Sequence, residues 1–354
     1  MTNLKKKHSY LLMSKILLMI LTEYGHLIVD DFGAVLRKKK RRILVITDDK
    51  KEEIPFKSVR DVIVSGKVNL SSELIKALAE SGIDLLFTTP MGRPVARVVN
   101  ARAGGTAENR YEQYKSLEDL RGVKIARSVI LGKIRNQMSN VRYYSKSRRM
   151  NEEISTRLYD IYTMIKDKYE QLQDEDFERL EIARKKILAY EGECANYYWD
   201  GIKLALDDWN FEGRNQRSSD PVNISLNICY NLLMGQIWKY TLKFGLDPFM
   251  GYLHVDRPGK LSLVFDLMEP FRPMVDRFVI SFLKKITPAY FSEKTKGTTV
   301  SMLKNKFFSD FMQDRIDYKG RKMKMETVMF YYLQEIVSFL RGNKDSITVP
   351  YIPW

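Results

Sequence analysis

Ala103-Gly104-Gly105-Thr106 divides this chain into two stretches of different texture. Before it, short β-branched runs at His26–Asp30, Ala34–Arg37, Ile43–Thr47 and Val59–Val64 alternate with turn formers at Asp31/Gly33, Asp48-Asp49 and Gly66. One helix interrupts them: Ser71 suits an N-cap, Leu70 and Ile75 suit a hydrophobic staple, and Gly82 suits a C′ stop. Ile83–Phe87 and Val95–Val99, joined through Pro90-Met91-Gly92, predict a closing hairpin. After the boundary a 3.6-residue period takes over. It predicts helices near 108–119, 120–145, 151–172, 175–206, 221–245, 262–285, 297–313 and 325–341.

The pattern is that of an α+β chain in two domains. A small β-rich N-terminal domain covers 20–102, a linker 103–107, a larger all-α C-terminal domain 108–345, and an irregular tail 346–354. Residues 1–19 read either as an extension or as the lead-in to a first strand. Lys5-Lys6-Lys7 ahead of an apolar run mimics a signal peptide, but Lys15 interrupts the run and no small-residue cleavage site follows. No segment reaches the roughly 18–20 apolar residues of a membrane span, so a cytoplasmic protein is expected.

With 354 residues and a formal charge of +15, the chain calls for a polyanionic partner, of which nucleic acid fits best. One basic cluster holds Arg121, Lys124, Arg127, Lys133, Arg135, Arg142, Lys146, Arg148 and Arg149, with Tyr143 and Tyr144 interleaved. A second holds Lys294, Lys296, Lys304, Lys306, Lys319, Arg321, Lys322 and Lys324. Phosphate contact with base stacking is one reading, and a solvated helix face explains any single member. Cys194 and Cys229 sit in apolar patterns without CxxC spacing, as reduced core thiols do. There are too few Cys and His for structural zinc, no Walker A or GxGxxG motif, and no credible nucleophile triad.

Chemistry concentrates around Gly251-Tyr252-Leu253-His254, the turn Pro258-Gly259, and the segment from Leu261 to Pro273. His254 is one of three histidines; Asp266 and Glu269, three apart, share a helix face. An imidazole beside two carboxylates suits Mg²⁺ or Mn²⁺. Glu191 lies on the stripe Ile187, Ala195, Tyr198, Ile202, where a carboxylate needs a partner. For each acid an ion pair competes with the metal reading: a Lys or Arg for Glu191, Arg272 or Arg277 for Asp266 and Glu269. Pro270 should kink or break its helix just after Glu269. Asp220 and Pro221 start another helix, on which Asn223, Asn227 and Asn231 form a line that would brace the site, bind DNA backbone or remain a structural ladder.

The order Glu191-Gly192, Ala195, Tyr198-Trp199, Gly213-Arg214, Asp220-Pro221-Val222-Asn223, Leu226-Asn227, Tyr230, Leu232-Leu233 is followed by two further blocks. These are Gly245-Leu246-Asp247-Pro248 with Gly251-Tyr252-Leu253-His254, then Ser262-Leu263 with Asp266-Leu267-Met268-Glu269-Pro270-Phe271-Arg272-Pro273. The set resembles the CRISPR-associated endonuclease one family, the integrases of spacer acquisition. The resemblance spans the helical region closely and the first hundred residues more loosely. It implies that the helical domain is catalytic, with Glu191, His254 and Glu269 as ligands of Mg²⁺ or Mn²⁺ and Asp266 as a nearby assisting acid.

The resemblance also implies a homodimer through the β-rich domain, a complex with the small CRISPR-associated protein two, and double-stranded DNA as partner, both spacer donor and CRISPR repeat. The implied activity is that of a metal-dependent DNA endonuclease and strand transferase, inserting spacer DNA by 3′-OH attack on a repeat phosphodiester. A transposon-type integrase relative and a non-catalytic DNA-binding scaffold remain as alternatives. Cys194 stands where a small alanine is commoner in the family.

Overall fold

The computed structural model describes residues 19–48, 50–100, 106–148, 150–206, 209–255 and 257–353. The chain forms two compact units: residues up to Arg102 with Ile286–Asp310, and Ala103–Lys285 with Phe311 onward.

The first unit is built on two sheets. Strands β1 (Met19–Leu21), β2 (His26–Val29), β3 (Val35–Lys39), β4 (Arg42–Ile46), β5 (Lys51–Pro55), β6 (Asp61–Ser65), β7 (Asn69–Leu70), β8 (Asp84–Thr88) and β9 (Pro94–Val98) lie in chain order, with helix α1 (Ser72–Glu80) between β7 and β8. One sheet runs β1-β2-β6-β8-β9 and the other β5-β4-β3-β7. β2, β6 and β8 are parallel, as connections through other elements allow, while the flanking β1 and β9 are antiparallel. Leu27, Val29, Leu36, Ile43, Val45, Ile54, Val62, Leu74 and Leu85 bury one shared core from both sheets and α1. The expected helix start is observed: Ser71 Oγ accepts the Leu74 N–H, and Gly82 follows the helix at φ +69°. The expected β8–β9 hairpin is present too.

β5 is a strand the sequence reading did not place. Lys51-Glu52-Glu53-Ile54-Pro55 offers a single inward apolar side chain, Ile54, and its other residues look like a charged loop. The end of the first apolar run does form a strand, β1, paired with β2. The basic residues before it lie outside the described residues, as do Asp49 and the glycines of the Ala103–Thr106 boundary.

The second unit holds α2 (Ala107–Lys115), α3 (Leu120–Ser147), α4 (Glu152–Asp174), α5 (Leu180–Ala205), α6 (Pro221–Lys243), α7 (Ser262–Met268) and α8 (Arg272–Leu283). α9 (Lys296–Ser309) belongs to the first unit, where Lys304, 3% exposed, pairs with Asp30 at 2.9 Å. β10 (Arg315–Tyr318), β11 (Arg321–Lys324) and α10 (Met325–Leu340) complete the second unit. The β10–β11 hairpin falls where the sequence shows only a basic cluster. Its strands are four residues long, too short for alternation to stand out.

α3 packs against α4, α5 and α8. Its buried face is unusually polar: Asn136, Gln137, Ser139 and Asn140 are all at most 2% exposed. The reason is the irregular backbone opposite. The break expected at Pro270 is a 3₁₀ turn, Glu269–Phe271, between α7 and α8. Asn136 Nδ2 donates to Pro270 O (2.9 Å) and Pro350 O (3.0 Å), and its Oδ1 accepts from Ile352 N (3.0 Å). Asn140 Nδ2 donates to Pro273 O at 2.6 Å. The aperiodic tail is thereby docked on α3. At Gly132 an added Cβ would come within 2.1 Å of Val349 Cγ1.

Asn136→Ala should therefore strand two carbonyls and one N–H in the interior. Its unfolding free energy, measured by denaturant titration, should fall by about 2–4 kcal/mol, with the tail becoming protease-accessible. Unchanged stability would mean that the amide does not hold the tail.

Candidate active site

A cavity of about 260 Å³ in the helical unit is lined by side chains from α3, α5, α6, α8 and the loops beside α6 and α7. Glu191, His254 and Glu269 all face it, joined by Lys133, Trp199, Arg214, Tyr230, Arg272 and Asp276.

Asp266 organises the histidine rather than lining the cavity. Its carboxylate is fully buried and accepts the backbone N–H groups of Tyr252 (2.5 Å), Leu253 (2.9 Å) and His254 (3.0 Å). Oδ1 also lies 2.6 Å from His254 Nδ1. A carboxylate has only acceptors to offer, so Nδ1 carries the hydrogen, and in the neutral imidazole the lone pair is on Nε2. The same loop is held by Arg184 Nε donating to Tyr252 O (2.8 Å) and by Tyr252 Oη against Ser116 Oγ (2.8 Å). Gly251 is required by this closeness. An added Cβ would meet Asp266 Oδ2 and the backbone carbon of Ser262, each at 2.9 Å.

The ion pairs weighed in the sequence are real and coexist with the site. Lys133 Nζ lies 2.5 Å from Glu191 Oε1 and 2.6 Å from Glu269 Oε2, and Arg272 Nε lies 2.8 Å from Glu269 Oε1. Burial would raise the Glu269 carboxyl, but Arg272, Lys133 and His254 outweigh it and hold it at about 2. Burial also works against the Lys133 charge, and Glu269 and Glu191 outweigh it, holding the ammonium above its ordinary range.

Two carboxylates and an imidazole are hard donors whose chemistry fits Mg²⁺ or Mn²⁺. The buried Glu269 Oε2, despite the nearby ammonium, makes no directed hydrogen bond. Among the described residues no three His, Cys, Asp or Glu side chains converge as a metal cluster; the two glutamates turn onto Lys133 instead.

Residues the sequence reading did not assign to the site surround these. Lys133 belongs to the first basic cluster, for which phosphate contact and a solvated helix face are both open in the sequence. Arg214 is aimed by the asparagine line: its Nη1 donates to Asn223 Oδ1 (2.8 Å) and its Nη2 to Asn227 Oδ1 (2.6 Å), so those two asparagines are braces. Arg214 and Arg272 both lie over the Tyr230 ring, at 5.3 and 4.8 Å. Asp276 is 1% exposed and accepts hydrogen bonds from Tyr198 (2.9 Å) and Tyr230. The one sequence signal for it was an acid four residues after Arg272 inside an apolar run.

The two basic clusters are largely engaged within the protein. Arg121 pairs with Asp119 and Glu112, Arg127 donates to Glu175 O, Arg135 and Arg142 lie over Tyr351 and Tyr159, and Lys319 pairs with Glu335. Arg149 lies outside the described residues. Lys124, Lys294, Arg321 and Lys322 are exposed. Both cysteines are free and buried, and burial pushes the Cys194 thiol up to about 12.

Carboxylates facing three cations make this small cavity a charged site. The chain belongs to the CRISPR associated protein Cas1 family, which it matches over residues 27–313. The CRISPR-associated endonuclease Cas1 of Korarchaeum cryptofilum is 59% identical over 339 residues, covering 94% of this chain and 99% of that protein. CRISPR-associated endonuclease Cas1 1 of Archaeoglobus fulgidus is 30% identical over 304 residues, 81% and 88% of the two chains. Among solved structures, a casposase bound to integration product superposes with a TM-score of 0.75 over 92% of this chain and 93% of its own, at 24% identity. A Cas1 protein from Thermotoga maritima gives 0.70 over 90% and 97%, at 18% identity. At these identities the two structures speak for the fold.

Gly251→Ala should force the Asp266 carboxylate and the His254 loop apart, at a cost of about 1–3 kcal/mol in denaturant-derived stability. A variant as stable as the wild type would show that the contact yields freely.

Burial pushes the Asp276 carboxyl up to about 6, against hydrogen bonds from Tyr230 and Tyr198 and the charges of Arg214 and Lys133. Unfolded aspartate titrates near ~3.9, so the native state binds this proton more tightly than the unfolded chain. The stability it confers is fully present below about pH 4, is lost as pH rises toward about 6, and is level above. Asp276→Asn lacks this slope. Relative to wild type it should gain on the order of 2–3 kcal/mol between pH 4 and pH 7, read from denaturant unfolding at each pH. A pH-independent difference would refute the assignment.

Proposed function

We propose that the protein is a metal-dependent DNA endonuclease and integrase of CRISPR adaptation, joining spacer DNA to a CRISPR repeat by 3′-OH attack on a phosphodiester. The observation that carries this reading is that Glu191, His254 and Glu269, brought from α5, a loop and the turn after α7, line one cavity together with Arg214 and Arg272. The endonuclease names of the relatives in Korarchaeum cryptofilum and Archaeoglobus fulgidus agree with it.

Each side chain then has a role its surroundings support. Glu191, His254 through Nε2, and Glu269 would hold Mg²⁺ or Mn²⁺. The bound ion would supply neutralisation of charge on the scissile phosphate and acidify the attacking hydroxyl. Asp266 keeps the imidazole in one tautomer and orientation, as an assisting acid that never touches substrate. Arg272, anchored on Glu269, and Arg214, anchored on Asn223 and Asn227, present guanidinium groups to phosphate oxygens. Exchange of one phosphodiester for another is close to energy-neutral, in keeping with a sequence that has no Walker A motif.

The wider assembly follows the family: a homodimer through the β-rich domain, a complex with the small CRISPR-associated protein two, and double-stranded DNA as both donor and target. Two buried free thiols and no helix, among the described residues, long and apolar enough to cross a membrane fit work in the cytoplasm.

Glu191→Ala, His254→Ala and Glu269→Ala should each lower Mn²⁺-dependent joining of a labelled donor to repeat DNA by at least about 10³-fold, while filter binding to DNA persists. Full joining by any one variant removes that residue from the site.

A further inference from the structure

The ammonium of Lys133 touches both glutamates at once, 2.5 Å from Glu191 and 2.6 Å from Glu269. A divalent ion bound by the same two carboxylates would stand at a comparable distance, about 2.1 Å for Mg²⁺. The two cations therefore claim the same ground. Adding a divalent charge beside an ammonium that stayed in place would set like charges a few ångströms apart in a poorly solvated cavity.

The two oxygens of Glu269 face different cations. Arg272 Nε lies 2.8 Å from Oε1 and Lys133 Nζ 2.6 Å from Oε2, and neither contact is a directed hydrogen bond. Arg272 is a planar fork stacked on Tyr230. Lys133 is a point charge on a four-carbon stem from α3, with 12% of its side chain exposed at the cavity wall. One cation is thus braced on an aromatic ring, and the other is carried on a flexible stem.

We infer that Lys133 is a built-in, displaceable counter-ion: it neutralises Glu191 and Glu269 while the catalytic metal is absent and yields its place when the metal binds. This rests on the metal reading of the site proposed above. The device lets the buried Glu269 and the partly exposed Glu191 share one cavity in the metal-free protein without the cost of unpaired charge. It also sets metal affinity, because binding must displace the ammonium first. A merely structural ion pair predicts that losing Lys133 lowers stability and leaves metal affinity alone.

The test is Mn²⁺ binding by full-length protein, followed by electron paramagnetic resonance of the free ion and by the Mn²⁺-induced rise in melting temperature. Lys133→Met is compared with wild type, with Lys133→Gln as a hydrogen-bonding substitute should the methionine variant fold poorly, and Glu191→Ala as the control for location. The neutral variants should bind Mn²⁺ at least about tenfold more tightly, melt lower without metal, and show a larger rise with it. Wild-type binding that Glu191→Ala abolishes, with Lys133 variants unchanged or weaker, overturns the counter-ion role and leaves the metal site standing. Absence of Mn²⁺ binding by wild type and Lys133 variants alike, or binding that survives Glu191→Ala, overturns both.

Discussion

The backbone from Glu269 to Phe271 cannot continue α7 into α8 as one α-helix, because Pro270 and Pro273 lack the N–H groups a continuous ladder would use. The carbonyls those N–H groups would meet, Asp266 O and Glu269 O, take 3₁₀ bonds from Glu269 N and Arg272 N, while Pro270 O and Pro273 O accept from buried amides on α3, Asn136 and Asn140. These bonds fix the turn carrying Glu269 against α3, and Lys133 lies one turn before Asn136 on that helix. The distance from Lys133 to Glu269 is thus set by the packing that resolves the proline break. Asn136 also grips the tail through Pro350 and Ile352, so the chain terminus and the cavity wall share one support.

Three buried acids show how surroundings divide labour among like side chains. Asp266 is surrounded by backbone N–H groups and does positioning work. Glu269 is flanked by Arg272 and Lys133 and sits at about 2, ionised under all working conditions. Asp276 has tyrosine hydroxyls rather than a guanidinium in contact, and burial prevails, at about 6. All three are desolvated; what lies within hydrogen-bond reach decides the rest.

Much of the architecture was legible from periodicity. The β-to-α change, the N-cap at Ser71, the Asp220-Pro221 helix start and the break at Pro270 depend on local chemistry and are found where the residues imply. β5 and the β10–β11 hairpin were not, since strands with one or two inward apolar residues carry little pattern. Residues 286–310 cluster with the first unit, an outcome of tertiary packing that helical periodicity does not encode. Glu191, His254 and Glu269 were named by stripe position, spacing and family resemblance, and the fold brings them to one cavity. Lys133, Arg214 and Asp276 were not assigned there, because a lysine within a basic run resembles its neighbours until the helix is packed.

That last point bears on how ion-pair and metal readings of an acid should be weighed. For Glu191 and Glu269 they were set against each other as alternatives, yet the structure makes the ion pair without removing the donors from the cavity. Glu269 is buried and Glu191 partly so, and a desolvated carboxylate costs several kcal/mol unless charge is supplied; Lys133 supplies it to both. An arginine would bind too rigidly to leave, and a hydrogen-bond donor without charge would not compensate two acids. A lysine on a packed helix, with its head at the cavity wall and its stem in the core, satisfies both demands. An ammonium at such a position compensates both acids and still leaves their side chains lining the cavity.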